Sequence, residues 1–226
     1  MQTNGQGGVM RAVIFDLDGT LIDSAPDIQA AVNRALADFD CAPLDLPTVI
    51  SFIGNGLPKL AERVHVRAGL ADGVQTDLTQ RLLTYYNENP LGLTKLYPDC
   101  LDVLAYLRDA GVKIGLCTNK PYAPAVHILD HLQIAQYFDA VIGGDSLAVK
   151  KPDPAPLRET ISRLQADDVL YVGDSPVDYQ TAQNAGVDFA FFTQGYRNEP
   201  LSYFQNAVPF DDYQEFLGIL RRRYSA

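Results

Sequence analysis

The chain has no tryptophan, three cysteines, three histidines and no long apolar run, and each shortage narrows what it can be. Cys41, Cys100 and Cys117 are odd in number and show no CxxC spacing, which argues against a disulfide framework or a cysteine zinc site and suits a reducing compartment. No apolar stretch approaches the ~20 residues that a membrane span needs, so no membrane partner is expected. The start, MQTNGQGG, lacks the basic and apolar regions of a signal peptide; residues 1–9 read as a loose tail on a cytoplasmic protein. Basic residues are scarce as well: 18 Lys and Arg against 28 Asp and Glu leave a net charge of −10. The one basic block, Arg221 to Arg223, is most simply a favourable cluster at a helix C-terminus, and nucleic acid is not an expected partner.

What is present is an ordinary globular composition, 47% apolar over 226 residues, enough for one large domain or a domain with a substantial insertion. The chain is organised around Ala12 to Asp23, AVIFDLDGTLID. Ala12, Val13, Ile14 and Phe15 form the continuous apolar run of a strand buried on both faces, and the run stops at Asp16. Asp18, two residues on, is expected on the same side as Asp16, with Gly19 permitting a sharp turn. Two carboxylates crowded into one pocket raise the proton affinity of at least one of them unless a cation neutralises the pair.

Along the chain, Ser24 reads as an N-cap and Pro26 as first-turn residue of a helix carrying Ile28, Val32, Ala35, Leu36 and Phe39. Helical patterns recur from Pro58 and from about Thr76, with no strand between Ser24 and Leu93. Residues 24–93 are therefore assigned to a small helical bundle inserted after the first strand, leaving 10–23 and 94–226 as an α/β core. From Tyr97 helix and strand alternate, with Asp99 as a cap and strands at Val112–Cys117, Ala140–Ile142, Val169–Val172 and Val187–Phe192. The final helix, from Tyr213, is expected against the sheet edge. The fold class is α/β: a doubly wound parallel sheet with an inserted helical cap.

In such a sheet ligands bind beyond the carboxyl ends of the strands. The residues falling there are Asp16 and Asp18, then Thr118 and Asn119, then Lys150 and Lys151, then Gly173, Asp174, Ser175 and Asp178. Each has a dull reading as a cap, a solvated lysine or a turn, but together they bring a nucleophile, a proton donor, a hydroxyl, an ammonium and further carboxylates to one rim. His127 and His131, four apart on a helix, have no third ligand nearby and read as surface residues. Cys117, ending a strand, reads as a small apolar filler.

With these residues in place the sequence resembles the haloacid dehalogenase superfamily, whose four motifs match as DLDGT at Asp16 to Thr20, Thr118 with Asn119, Lys151 before Pro152, and GDSPVD at Gly173 to Asp178. DLDGTLIDSAPDI, IGNG at Ile53 to Gly56 and KPDPAPL from Lys151 are most similar to the phosphoglycolate phosphatases of that superfamily. The resemblance implies a Rossmann-like core and a phosphomonoester hydrolase working through an aspartyl-phosphate. Asp16 would be the nucleophile and Asp18 the acid and base. Thr118, the Asn119 backbone N–H and Lys151 would hold the phosphoryl group. Magnesium would sit on the Asp16 carboxylate, the Asp18 carbonyl and Asp174, with Ser175 and Asp178 behind them, Asp178 orienting Lys151 or a metal-bound water. Substrate choice is expected at the loop Ile53 to Leu57, where Gly54, Asn55 and Gly56 face a helix start that also carries Lys59 and, on a solvated face, Arg63. The expected partner is a small phosphomonoester, 2-phosphoglycolate above others, with the protein a monomer or homodimer. Three alternatives stay open: a phosphosugar mutase, although Asp27 and Ile28 stand where mutases usually carry a His; a pyrophosphatase or nucleotide phosphatase; and a non-catalytic regulator.

Overall fold

A computed structural model describes residues 9–88 and 91–224, so the expected tail, apart from Val9, lies outside the described residues. Strand β1 (Arg11–Phe15) sends Val13 and Phe15 into one hydrophobic cluster and Ala12 and Ile14 into another. Alternate side chains thus enter two cores, which is why the run contains no polar residue. The chain continues through β2 (Ile22–Asp23), α1 (Ala25–Ala37), α2 (Leu46–Ile50), α3 (Leu57–Ala68), α4 (Gln75–Glu88) and β3 (Lys95–Leu96). Then helix and strand alternate: α5 (Cys100–Asp109), β4 (Lys113–Cys117), α6 (Tyr122–His131), β5 (Ala140–Ile142), α7 (Ala155–Leu164), β6 (Asp168–Gly173), α8 (Pro176–Ala185), β7 (Asp188–Phe192), β8 (Val208–Phe210) and α9 (Tyr213–Tyr224).

The sheet order is β5-β4-β1-β6-β7-β8 and every pairing in it is parallel. The chain builds outward from β1 on one side, then returns and builds outward on the other, so the crevice where the order reverses lies at the carboxyl end of β1. Helices cover both faces, as a parallel sheet requires.

Helices α1 to α4 bury Ile28, Val32, Leu36, Leu60, Val64, Leu78 and Leu82 in a cluster of their own, to which no strand of the large sheet contributes. The chain leaves for these helices and returns from them side by side, because β2 and β3 pair antiparallel through Ile22 with Leu96 and Asp23 with Lys95. Asp27, buried in the first turn of α1, reinforces the pairing: its carboxylate accepts from the N–H groups of Leu93 at 3.0 Å and Thr94 at 2.7 Å and from the Thr94 hydroxyl at 2.7 Å.

Several local expectations differ from what is observed. Ser24 stands at the N-cap of α1 without capping it: its backbone is helical, φ −103° and ψ −4°, and its hydroxyl is turned to Asp18 Oδ1, to which it donates at 2.6 Å. Asp99 precedes α5 in the left-handed region, φ 62°, and its side chain makes no capping bond. Helix α9 lies on a sheet face rather than at the edge: Phe216 meets Phe15 of the central strand edge-on, with ring centres 6.3 Å apart, and joins the same core as α5. The short helix α2, the β2–β3 ribbon and the edge strand β8, which carries Pro209, are additions to the expected elements.

Taking the shared acceptor from three donors at the linker is costly. Asp27→Ala is expected to lower stability by about 2 to 4 kcal/mol in urea unfolding, with Asp27→Asn, which keeps one acceptor oxygen, losing less. Equal losses for the two variants would show that volume rather than acceptance matters there.

Candidate active site

At the carboxyl end of β1 the chain ends its ladder with the N–H of Asp16 donating to Val172 O at 2.9 Å, then turns through Gly19. The turn is required: φ at Gly19 is +83°, and a Cβ there would stand 2.4 Å from Asp174 Oδ2. Gly195 closes the other side, where a Cβ would fall 2.3 Å from that of Asp174. Between them Asp174, delivered by the end of β6, accepts from the Thr20 hydroxyl at 2.7 Å and the Tyr196 N–H at 2.6 Å.

Asp178 enters from the first turn of α8, fixed by a reciprocal cap: its Oδ2 accepts from the Ser175 hydroxyl at 2.5 Å and N–H at 3.2 Å, while its own N–H donates to Ser175 Oγ at 3.3 Å. Its Oδ1 accepts from Lys151 Nζ at 2.6 Å and lies 2.9 Å from the Tyr171 hydroxyl. Lys151, on the loop after β5, also stands 2.9 Å from Asp16 Oδ1. That contact is in ion-pair range but not in hydrogen-bond geometry, so Asp16 Oδ1 is buried without a hydrogen bond.

Ligand atoms of Asp16, Asp174 and Asp178 lie within 4.8 Å of one another, all three residues buried. Burial, and then the charge of Asp178, push the Asp16 carboxyl up to about 7 against the pull of Lys151. Asp174 is raised well above the carboxylate range by burial, Asp178 and Asp16. Burial alone would lower the Lys151 ammonium, but the carboxylates of Asp16 and Asp178 outweigh it and keep the lysine charged. Three carboxylates facing one ammonium carry an excess charge that a divalent cation balances, and the orphaned Asp16 oxygen offers it an open ligand. The residues present therefore fit a hard divalent metal.

On the other side of the crevice, β4 delivers Thr118, Asn119 and Lys120. The Thr118 hydroxyl oxygen accepts from the Lys120 N–H at 3.2 Å, leaving its proton to donate. The Asn119 amide accepts from Lys151 N–H at 3.0 Å and donates to Lys151 O and to Gly54 O, each at 3.1 Å, thereby tying the helical insertion to the loop that carries Lys151. Asp18 faces the same cavity as Asp16, held by Ser24 and by Lys120 Nζ, which reaches Oδ1 at 2.9 Å and Oδ2 at 3.0 Å.

Of the residues singled out in the sequence, Asp16, Asp18, Thr118 and Asn119 line this cavity together with Gly54 and Gly56, while Lys151, Asp174, Ser175 and Asp178 stand at its acidic end. Lys59 does not reach it: its ammonium pairs with Glu62 at 2.6 Å on an exposed face of α3, because the inward face of that helix is taken by Leu60, Ala61 and Val64. Asn55 is turned away too, its Oδ1 accepting from Arg63 Nη2 at 2.9 Å. Arg63, expected in solvent, also donates to Phe52 O at 2.8 Å and so shapes the loop. His127 and His131 are exposed, and burial pushes the Cys117 thiol up to about 12, which leaves it an inert filler.

Lys120, Tyr86 and Tyr196 were not anticipated. Lys120 directly follows two residues read as functional; Tyr86 and Tyr196 carry no local signal, since only tertiary packing brings them to the crevice. Tyr196 ties metal-ligand candidate to linker: its hydroxyl accepts from the N–H groups of Ser24 at 2.7 Å and Ala25 at 2.8 Å and donates to Asp23 Oδ1 at 2.8 Å.

Comparison with known proteins agrees with this arrangement. A family model described as haloacid dehalogenase-like hydrolase matches residues 13–192. The phosphoglycolate phosphatase of Cereibacter sphaeroides is 47% identical over 215 residues, covering 94% of this chain and 99% of that protein. The phosphoglycolate phosphatase of Rhodospirillum rubrum is 43% identical over 211 residues, covering 90% of this chain and 88% of the relative. A crystal structure from Haemophilus somnus, described as a predicted phosphoglycolate phosphatase, superposes with a TM-score of 0.88 at 31% identity, covering 93% of this chain and 98% of that one. A match that spans all four acidic and basic loops, over the fold that brings them together, identifies the chain as belonging to the haloacid dehalogenase-like hydrolases.

Proposed function

We propose that this protein is a magnesium-dependent phosphatase that hydrolyses 2-phosphoglycolate to glycolate and phosphate. The observation that carries the reading is Asp16: a buried carboxylate at the sheet's switch point, one oxygen without a hydrogen bond, with an ammonium on one side and Asp18 across the cavity. The naming of the 47% identical relative supports the substrate.

Asp16 attacks phosphorus, the bond to the ester oxygen breaks, and Asp18 gives the departing alkoxide its proton. Water then opens the aspartyl-phosphate, with Asp18 taking the proton back. Lys151, the Thr118 hydroxyl and the Asn119 N–H stabilise the charge on the transferring phosphoryl oxygens. Asp16, Asp174 and the Asp18 carbonyl would hold magnesium, which would supply electrostatic stabilisation and orientation of the phosphate. Asp178, with both oxygens already engaged by Lys151 and Ser175, serves to aim Lys151. Residues 24–93 act as a cap over the leaving group, with the Gly54 and Gly56 backbone at its inner edge. Asp27, where a mutase would need a histidine, has its carboxylate committed to the linker, and this favours hydrolysis over phosphoryl return.

Asp16→Asn is expected to lower kcat by at least about a thousandfold at an unchanged melting temperature, since the near-isosteric amide cannot attack phosphorus. Phosphate release within tenfold of the parent by a folded variant would remove Asp16 as nucleophile.

Magnesium should stabilise the protein more at high pH than at low. With the folded Asp16 pKa near 7 and the ordinary value at 3.8, the metal-free folded state holds more protons than the unfolded chain between these limits, so its stability from this group falls as pH rises through 7. The cation replaces the proton. The rise in melting temperature on adding magnesium is therefore expected to be several degrees greater at about pH 8 than at about pH 5. A rise that is the same at both, or absent, would contradict the metal site.

A further inference from the structure

Lys120 has no part in the steps above, yet it is buried in the wall of the same cavity. A buried ammonium needs an anion. The carboxylate it holds in this structure is that of Asp18, the group the reaction requires at the ester oxygen. On its other side Lys120 Nζ lies 4.8 Å from the ring centre of Tyr86, a residue of α4 that is 5% exposed and lines the cavity. Among the described residues the buried Tyr86 hydroxyl has no hydrogen bond of regular geometry, Lys120 being the polar group beside it, although a phenol in such a place ordinarily finds an acceptor. An ammonium whose one anion among the described residues has work elsewhere and a phenol hydroxyl with no acceptor there thus meet at one point, and the rest of the cap side is mostly apolar, formed by Ile28, Leu57, Leu60 and Leu82 with the exposed Asn87 beside them.

We propose that Lys120 and the Tyr86 hydroxyl receive the second anionic group of the substrate, the carboxylate in 2-phosphoglycolate, and that Lys120 exchanges the Asp18 carboxylate for it. This rests on the phosphatase reading above and assigns its specificity to one core lysine and one cap tyrosine rather than to the side chains of the loop at Ile53 to Leu57. Lys120 is two residues from Thr118, so the two anions of the substrate must be close together, which fits a two-carbon ester and disfavours long ones. The charge beside Lys120 stays balanced, one carboxylate leaving the ammonium as another arrives, and Asp18, still held by Ser24, takes from solvent the proton that it carries to the ester oxygen.

The test uses two esters that differ in one group: 2-phosphoglycolate and 2-hydroxyethyl phosphate, which carries CH2OH in place of the carboxylate. The ratio of their kcat/KM values in the magnesium-loaded enzyme is the readout. Lys120→Met is expected to lower that ratio roughly 100-fold, and Lys120→Arg by much less. Tyr86→Phe is expected to lower it roughly tenfold, chiefly through the KM for 2-phosphoglycolate. It deletes a hydroxyl with no regular hydrogen bond among the described residues, so it carries the test should Lys120→Met not fold. A parent enzyme with no preference for 2-phosphoglycolate overturns the substrate reading. A parental preference that survives Lys120→Met and Tyr86→Phe overturns this inference alone, and Lys120 is then only a positioning residue for Asp18.

Discussion

Three buried carboxylates share one end of a sheet with a single ammonium, and the rest of the molecule is arranged to keep them there. At separations of 4.8 Å or less each pair of like charges repels by roughly 3 kcal/mol or more, taking an effective dielectric of about 20. The fold resists that repulsion with directed donors. Thr20 and the Tyr196 N–H hold Asp174, Ser175 and Lys151 hold Asp178, and Asp16 alone keeps an oxygen with no hydrogen bond. The unbalanced charge is what gives the crevice its affinity for a cation and for the phosphate that follows it.

The same restraints connect the acidic centre to the inserted helices. Tyr196 joins Asp174, through its N–H, to the start of α1, through its hydroxyl, and Ser24 at that start holds Asp18. On the far side Asn119 bonds both the loop of Lys151 and the loop of Gly54. Any motion of the helices relative to the sheet must therefore pass through residues that also set the positions of the reacting carboxylates. Asp27 and the two-stranded ribbon hold the two linkers side by side.

Much of this was legible in the sequence because it depends on local pattern. Apolar runs ending in polar residues located five of the six strands of the main sheet and the loops that carry Asp16, Thr118, Lys151 and Asp174. The rest depends on tertiary context. Strand β8 is three residues with a proline, tolerable because it sits at the edge, and no local rule distinguishes it from a turn. Ser24 has the type and position of a helix cap, but its backbone is already helical and its hydroxyl is turned to Asp18, so its oxygen does not meet the N–H groups of the first turn. Lys59 looked like a ligand because it follows a glycine loop, while the helical period turns it to solvent. Helix α2 has its own start signals, Asp45, whose carboxylate accepts from Thr48 N–H at 2.9 Å, and Pro47 in the first turn, but its 5 residues are too few for a helical period to show.

The glycines around the acidic centre carry a consequence of a different kind. At Gly19, Gly173 and Gly195 a single methyl group would overlap Asp174 or Asp178, so these positions are defined by the atoms they lack. They carry no charge and no nucleophile. The spacing of the carboxylates is nonetheless set by how closely bare backbone can approach, and the tolerance of the site to inherited change is bounded there by the volume of one carbon atom. Its chemistry is written in side chains; its ruler is written in their absence.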